Sequence, residues 1–190
     1  MLQDPITDLK EAKSLIFRRD YIDIFQISWG PDDGGKTFDG PGKFTKFVLK
    51  DGAEMGRNGL GSIFVLASGT GGSKDDDCNA DGYANSIYTM AISSVDITNK
   101  RPGFSERCSS ILVTAYSGER RIGTGLAAAG ISADSCSLHD GTAASASIGT
   151  GIVALMLEVN PSLSWRDVQH ITVLSAQSER ILQADNWLRN

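Results

Sequence analysis

One stretch in the last third of the chain limits its fold more than any other. Residues 138–147, with the sequence LHDGTAASAS, run without a break into the apolar residues 148–159. Gly141 permits a tight turn, and Thr142 is expected to cap the start of a long apolar helix. Such a helix start presents free backbone N–H groups and the positive end of the helix dipole. An enzyme places a nucleophile, or binds an anion, at a point of this kind.

Composition limits the class of protein. The chain has 190 residues, 41% hydrophobic and 22% charged, which is the balance of one ordinary globular domain. Its formal net charge of -5 makes nucleic acid and anionic membrane poor partners and favours basic peptides or cations. No apolar run in the sequence approaches the length of a membrane span. Residues 1–5 lack the basic and apolar parts of a signal peptide, so no export signal is expected there.

Hydrophobic periodicity predicts alternating strands and helices. The predicted helices are 8–17, 43–55, 144–159 and 164–175, and the predicted strands are 22–27, 63–67, 86–93 and 111–116. The run 63–67 is continuously apolar, which is typical of a strand buried on both faces of a parallel sheet. Loops are predicted at 32–42 and 68–83, whereas 119–136 has no readable pattern. The alternation predicts an α/β fold with function at the carboxyl ends of its strands.

Five ordered blocks of sequence resemble one known family. They are SWGP at 28–31, KTFDGP at 36–41, GSIFVLASG at 61–69, CNADGYANSIYT at 78–89 and WRDVQH at 165–170. Together with GTAAS at 141–145, they resemble the kexin/furin-like proprotein convertases among the subtilisin-like serine endopeptidases. The resemblance is best over 11–177 and implies one partial subtilisin-like peptidase domain over 1–190. It implies a three-layer α/β fold, with helices on both faces of a mostly parallel sheet that is incomplete on its N-terminal side.

The resemblance implies a protease fold without its catalytic groups. The family cuts secretory-pathway precursors after basic residues, using a Ser/His/Asp triad, calcium and an oxyanion-hole Asn. Ala143 stands at the nucleophile position and Thr70 at the oxyanion-hole position, and the family's triad Asp and His lie upstream of the matching region. In subtilisin, losing the triad lowers kcat by about 10⁶-fold and losing the oxyanion donor by about 10²–10³-fold. The chain is therefore expected to be inactive.

No other residue is expected to replace the missing groups. Neither His139 nor His170 matches the family's catalytic base, and a turn or packing role is expected for His139. Ser145 lies two residues beyond Ala143 on the same helix, about 200° around its axis, so its side chain is expected to point away.

The resemblance assigns nine residues to substrate binding. The pocket for the basic residue next to the cut has Ser28, Trp29, Gly30 and Pro31 in its wall and Asp33 and Asp81 at its base. The residues around a second basic side chain, further upstream in the substrate, are Glu11, Asp39 and Tyr83. Carboxylates in a partly dry cleft attract a guanidinium group strongly. Without the resemblance, the same residues are typical of solvated loop carboxylates, and that alternative stays open.

Asp33, Asp76 and Glu106 match a calcium site that lies beneath the first pocket in the family. Three carboxylates from separate loops suit a hard cation with oxygen ligands, and they would repel one another without it. The aspartates at 75–77 are equally typical of a solvated charge run. A calcium site is therefore one of two interpretations of this pattern.

The three cysteines are an odd number. Cys78 and Cys108 match a disulfide pair of the family, and Cys136 matches a cysteine whose partner lies upstream of the matching region. The odd count fits a domain of which an N-terminal half is missing. Without that half, apolar strands such as 63–67 are expected to expose faces and edges, so the chain is expected to be soluble only with difficulty. The alternative is three reduced thiols in a chain that is never exported.

Three functions stay open at the level of sequence. The first is an inactive domain descended from a serine endopeptidase of the convertase branch. The second is a non-catalytic module that binds basic peptides or precursor segments, or regulates an active relative. The third is an active enzyme in which another chain supplies Asp and His. Ala143 argues against the third, because a partner cannot restore a nucleophile on this helix.

Overall fold

A parallel sheet forms the centre of the molecule. The computed structural model describes residues 5–119, 123–130, 132 and 134–177. Its main sheet consists of β1 (Ile24–Ile27), β2 (Ile63–Ala67), β3 (Thr89–Val95) and β4 (Ile111–Tyr116), in that spatial order. Each strand is parallel to its neighbour. The predicted α/β class with a mostly parallel sheet is confirmed.

Helices cover both faces of this sheet. One face carries α1 (Asp8–Leu15) and α2 (Lys43–Gly59), and the other carries α3 (Thr142–Val159) and α4 (Trp165–Ser175). Side chains of β2 alternate between the two cores, with Phe64 packing towards α1 and α2 and Val65 towards α3 and α4. The run 63–67 is apolar throughout because both of its faces are buried. It is an inner strand, so the expectation that it exposes faces and edges is wrong.

Several predicted bounds differ from those of the structure. The strand predicted at 86–93 is Thr89–Val95, because the chain still turns before Thr89, whose hydroxyl donates to the carbonyls of Tyr83 (2.6 Å) and Ser86 (3.1 Å). Helix α2 continues past the predicted end at 55 to Gly59, although its last turn has non-helical dihedral angles. The loop predicted at 68–83 contains two short 3-10 turns, Gly71–Lys74 and Cys78–Ala80.

The stretch 119–136, which has no readable pattern, contributes to an antiparallel hairpin. Its strands are β5 (Leu126–Ala129) and β6 (Cys136–His139), paired through Ala128 and Ser137 among others. All four residues of β6 are exposed, so no hydrophobic face marks them as a strand.

Helix α3 is unusually apolar. It has 18 residues and a mean hydropathy of 1.5, so by length and composition it meets the measure of a membrane span. The expectation that no apolar stretch reaches this length is wrong for α3. Buried helices in protein cores meet the same measure, and α3 contacts all four strands of the main sheet.

Candidate functional site

The head of α3 lies against the loop that follows β2. Gly141 precedes the helix at φ +90°, a conformation that favours glycine, and no side chain caps the helix start. The prediction that Thr142 caps α3 is wrong. Its buried hydroxyl instead donates to the carbonyl of Gly69, at 3.0 Å. This contact holds the half-buried Ala143 beside the 68–72 loop.

Ser145 is hydrogen-bonded to the main sheet. Its buried hydroxyl lies 2.8 Å from that of Ser94, and 3.0 Å and 3.2 Å from the carbonyl oxygens of Ala115 and Tyr116. These partners lie on β3 and β4, so the side chain points away from the position next to Ala143, as expected from helical geometry.

Three carboxylates meet beneath the carboxyl edge of the sheet. Asp33, Asp76 and Glu106 each place one oxygen within 4.8 Å of the other two. They come from separate connections, after β1, after β2 and between β3 and β4. Backbone N–H groups hold them, since Gly71 donates to Glu106 Oε1 (2.9 Å) and Gly35 to Asp76 Oδ2 (3.0 Å). The structure thus brings together the three residues that the sequence analysis assigned to a calcium site.

Glycine allows the loop after β2 to wrap this carboxylate cluster. A Cβ atom on Gly71 would lie 2.5 Å from Cβ of Asp76 and 3.1 Å from Oε1 of Glu106. Gly69, at φ +96°, also packs directly against the Glu106 carboxylate. Any side chain at these two positions would fill the space in which the carboxylates converge.

Burial and mutual repulsion raise the pKa values of two acids at this site, Glu106 and Asp81. Burial raises the pKa of Glu106 to about 7, and the charges of neighbouring aspartates add to the rise. Burial likewise raises the pKa of Asp81 to about 6, with further contributions from Asp33 and Asp39. The negative charges are therefore crowded enough that a bound cation would relieve their repulsion.

A shallow acidic cleft includes this cluster, and its lining residues include Pro31, Asp33, Asp76, Asp81 and Glu106. Gly30 packs against Asp81, because a Cβ atom there would lie 3.1 Å from Oδ2 of Asp81. The structure therefore brings these four predicted pocket residues to one place, at the carboxyl end of β1.

The other two predicted wall residues, Ser28 and Trp29, contact other parts of the structure. The Ser28 hydroxyl accepts a hydrogen bond from the Gln26 side chain. Trp29 packs against the hydrophobic core on the α1 and α2 side of the sheet. Neither belongs to the lining of the cleft among the residues that the structure describes. The indole N–H of Trp29 is buried and has no acceptor within the same part of the chain.

Comparison with known proteins identifies the family of the chain. The family model described as the subtilase family matches residues 3–189. The chain belongs to the subtilase family. It is 46% identical over 190 residues to human proprotein convertase subtilisin/kexin type 5 and 47% identical over 194 residues to the human type 6 protein. These matches cover 100% of this subtilase, but only 10% and 20% of the two relatives. The resemblance to proprotein convertases is confirmed.

Solved structures give the same fold. A cold adapted subtilisin-like serine proteinase superimposes with a TM-score of 0.69 at 15% identity, over 94% of this subtilase and 58% of that chain. A protease from Pseudoalteromonas arctica superimposes with a TM-score of 0.65 at 20% identity, over 83% of this subtilase and 45% of that chain. At these identities the likeness shows the fold alone, and it confirms the subtilisin-like α/β architecture.

Two of the three residues predicted for the second subsite of this subtilase, Glu11 and Tyr83, are buried. Tyr83 donates a hydrogen bond from its hydroxyl to Glu11 Oε2 at 2.7 Å, and the Thr45 hydroxyl donates to the same oxygen at 3.4 Å. Glu11 is 8% exposed and Tyr83 is 5% exposed. Burial raises the pKa of Tyr83, and the hydrogen bond to Glu11 raises it further. In this conformation, the Glu11 carboxylate is satisfied from inside the protein.

Asp39 lies beside Asp81 because the two loops pair through their backbones. The Gly82 N–H donates to the Asp39 carbonyl at 2.8 Å. A Cβ atom on Gly40 would lie 2.7 Å from Cα of Gly82, so the close approach requires glycine. Asp39 is exposed, whereas Glu11 and Tyr83 are buried.

A disulfide joins two loops of the site. Cys78 and Cys108 are bonded, which ties the turn before Asp81 to the connection that carries Glu106. Cys136, on β6, is free and exposed. His139 and His170 are also exposed, on β6 and α4 respectively.

The sequence did not reveal what the Thr70 side chain does. Thr70 was assigned to an oxyanion hole, yet its amide and its hydroxyl both donate to Oδ2 of Asp33, at 2.7 Å and 2.8 Å. No local pattern signals this contact, because the two residues are separated along the chain and meet only where the loops after β1 and β2 pack together.

Proposed function

We propose that this subtilase segment binds basic peptide segments in its acidic cleft and does not hydrolyse them. The observation that carries the proposal is the convergence of Asp33 and Asp81 in one cleft beside a helix head that presents only the methyl group of Ala143. Cations are attracted strongly by partly buried carboxylates, because the protein screens their charge less than water does. Arginine offers a planar fork of donors that matches a carboxylate.

The chemistry at residue 143 supports the non-catalytic part of the proposal. A methyl group has no lone pair with which to attack a carbonyl carbon and no acidic proton to pass to a base. Ser145 is held by the sheet. A second protein that supplied an Asp and a His would still find no nucleophile at the head of α3.

We further propose that Asp33, Asp76 and Glu106 hold a calcium ion. The donor set fits, since all three ligands are carboxylates and their oxygens converge in a cradle shaped by Gly69 and Gly71. The bound ion would supply positive charge that offsets the repulsion among these groups. The surrounding residues orient the carboxylates and hold the three loops that carry them in place.

Calorimetric titration with a peptide containing paired arginines tests the binding function. In millimolar calcium we expect binding of this peptide and no binding of a matched peptide with paired glutamines. Asp81→Asn is expected to weaken binding about tenfold or more, because a hydrogen bond to a charged group contributes about 1.5–3 kcal/mol. The matched control is Asp75→Asn, which removes an equal charge from an exposed position outside the cleft lining and should leave affinity unchanged.

Two outcomes contradict the proposal separately. Absence of peptide binding in millimolar calcium would show that the acidic cleft has no such ligand, and would leave an inactive domain without a binding role as the better description. Cleavage of a fluorogenic dibasic substrate that a serine-directed phosphonate abolishes would refute the non-catalytic part.

A further inference from the structure

Thr70 makes an unusual pair of contacts at the edge of the carboxylate cluster. Its amide and its hydroxyl both donate to the same oxygen, Oδ2 of Asp33. Among the residues that the structure describes, no hydrogen-bond donor is directed at Oδ1 of Asp33. One face of this carboxylate is therefore fixed by Thr70, and the other oxygen is left for a ligand.

We propose that Thr70 is a positioning residue for the cation site formed by Asp33, Asp76 and Glu106. The inference rests on the cation binding proposed above and concerns how this chain builds the site. Two donors on Oδ2 restrict rotation of the Asp33 carboxylate, which leaves its other oxygen available to a cation. Partners that orient a metal-binding carboxylate commonly change metal affinity by about 10–100-fold when they are removed.

The next residue along the loop acts in the same way on a second ligand. The Gly71 amide donates to Oε1 of Glu106 at 2.9 Å, so successive N–H groups of one loop orient two of the three carboxylates. The same loop accepts the Thr142 hydroxyl at the Gly69 carbonyl. The loop thus connects the cation site directly with the head of α3.

The contact with Asp33 gives the Thr70 hydroxyl a different role from the oxyanion-hole role that its place in the sequence suggests. A hydroxyl group has a single proton to donate. That proton is directed at Asp33, at 2.8 Å, so none remains for the oxygen of a peptide carbonyl in the same conformation. The hydroxyl therefore serves the cation site.

Calcium affinity of hydroxyl-deficient variants tests the proposal. The full chain is titrated with Tb³⁺, whose luminescence reports binding, and bound Tb³⁺ is displaced with Ca²⁺. Thr70→Val keeps the size and branching of the side chain and is expected to weaken Ca²⁺ binding about tenfold. Thr70→Ser keeps the hydroxyl and should restore affinity to within about twofold of the unaltered chain, since the same hydrogen bond to a charged group is retained. Thr37→Val is the matched control, because Thr37 lines the same cleft but bonds none of the three carboxylates in the described part of the chain.

Melting temperatures measured with and without Ca²⁺ separate positioning from a general structural role. A positioning role predicts that the rise in melting temperature caused by Ca²⁺ becomes smaller in Thr70→Val. An equal loss of melting temperature in both conditions, with unchanged Ca²⁺ affinity, would overturn the proposal. Thr70→Ala gives the same comparison if Thr70→Val does not fold.

The two proposals fail in different ways. Binding of Ca²⁺ by the unaltered chain, with equal binding by Thr70→Val, would refute the role of Thr70 and leave the cation site standing. Absence of Tb³⁺ and Ca²⁺ binding by the unaltered chain would refute the cation site, and the role of Thr70 with it.

Discussion

Ser145 shows how a hydroxyl two residues from the head of α3 serves stability. Its buried Oγ lies among the buried hydroxyl of Ser94 and two part-buried carbonyl groups of β4. Ser145→Ala would leave these buried groups short of a partner, so we expect a loss of about 1–3 kcal/mol in the free energy of unfolding, measured by urea denaturation. The matched control is Ser147→Ala, whose exposed hydroxyl donates, within the described part of the chain, only to the Ala143 carbonyl of its own helix. Equal effects of the two changes would contradict the assigned role.

Residue roles were predictable where the resemblance to a known family assigned them. The acids Asp33, Asp76 and Glu106 could be grouped from the sequence because the resemblance aligns their blocks, and the structure places them together. The state of Glu11 could not be predicted, since its burial depends on Tyr83 and on a threonine of another helix. Contacts of this kind form only when separate elements pack, and no local pattern encodes them.

The start of α2 illustrates how one element depends on another. Gly42 precedes the helix and offers no capping side chain. The carboxylate of Asp8, at the start of α1, instead accepts hydrogen bonds from the amides of Phe44 (2.9 Å) and Thr45 (2.8 Å). These amides are among the N–H groups that a helix start leaves unpaired. The two helices are therefore joined through a cap that one provides for the other.

The cap predicts a dependence of stability on pH. Although burial acts to raise it, hydrogen bonds from Phe44 and Thr45 hold the pKa of Asp8 below its ordinary value. A lowered folded-state pKa contributes stability that is present above the unfolded pKa of about 3.9 and is lost as pH falls through the folded value. Asp8→Ala should therefore lower the melting temperature at pH 7, and the difference from the unaltered chain should shrink below about pH 4.

A carboxylate on the same pair of helices provides the control for this prediction. Glu54→Ala removes an exposed acid from the middle of α2, where no capping is at stake, and should change the melting temperature little at either pH. A melting-temperature difference for Asp8→Ala that stays constant from pH 7 to pH 3 would contradict the capping role.

Elements were predictable where burial or capping left a clear pattern in the sequence. The run 63–67 could be recognised because both faces are buried, and α4 because Ser164 and Asp167 form a capping box at its start. The hairpin of β5 and β6 escaped prediction because β6 is exposed throughout and its residues show no alternation of polarity. A hydrophobic pattern in a sequence reflects burial, so a hairpin with an exposed strand shows little of this pattern.

At the scale of the whole molecule, the exposed apolar side chains of α3 and α4 are a prominent feature. Leu155 is 68% exposed, Val159 is 86% exposed and Leu174 is 84% exposed. Large apolar side chains exposed in this way favour association with another protein surface. The predicted difficulty with solubility thus has a different structural source from the inner strand 63–67, which is covered on both faces.

These exposed leucines predict self-association of the isolated chain in dilute buffer. The double change Leu155→Lys and Leu174→Lys should shift sedimentation-velocity profiles towards monomer, because burying a lysine ammonium group at the contact is costly. Ile97→Lys is the matched control, since Ile97 is 67% exposed but lies in the connection between β3 and β4. It should leave association unchanged, because an added charge alone does not remove the apolar face of the two helices. A chain that is already monomeric and melts in one cooperative transition would show that these side chains need no covering partner.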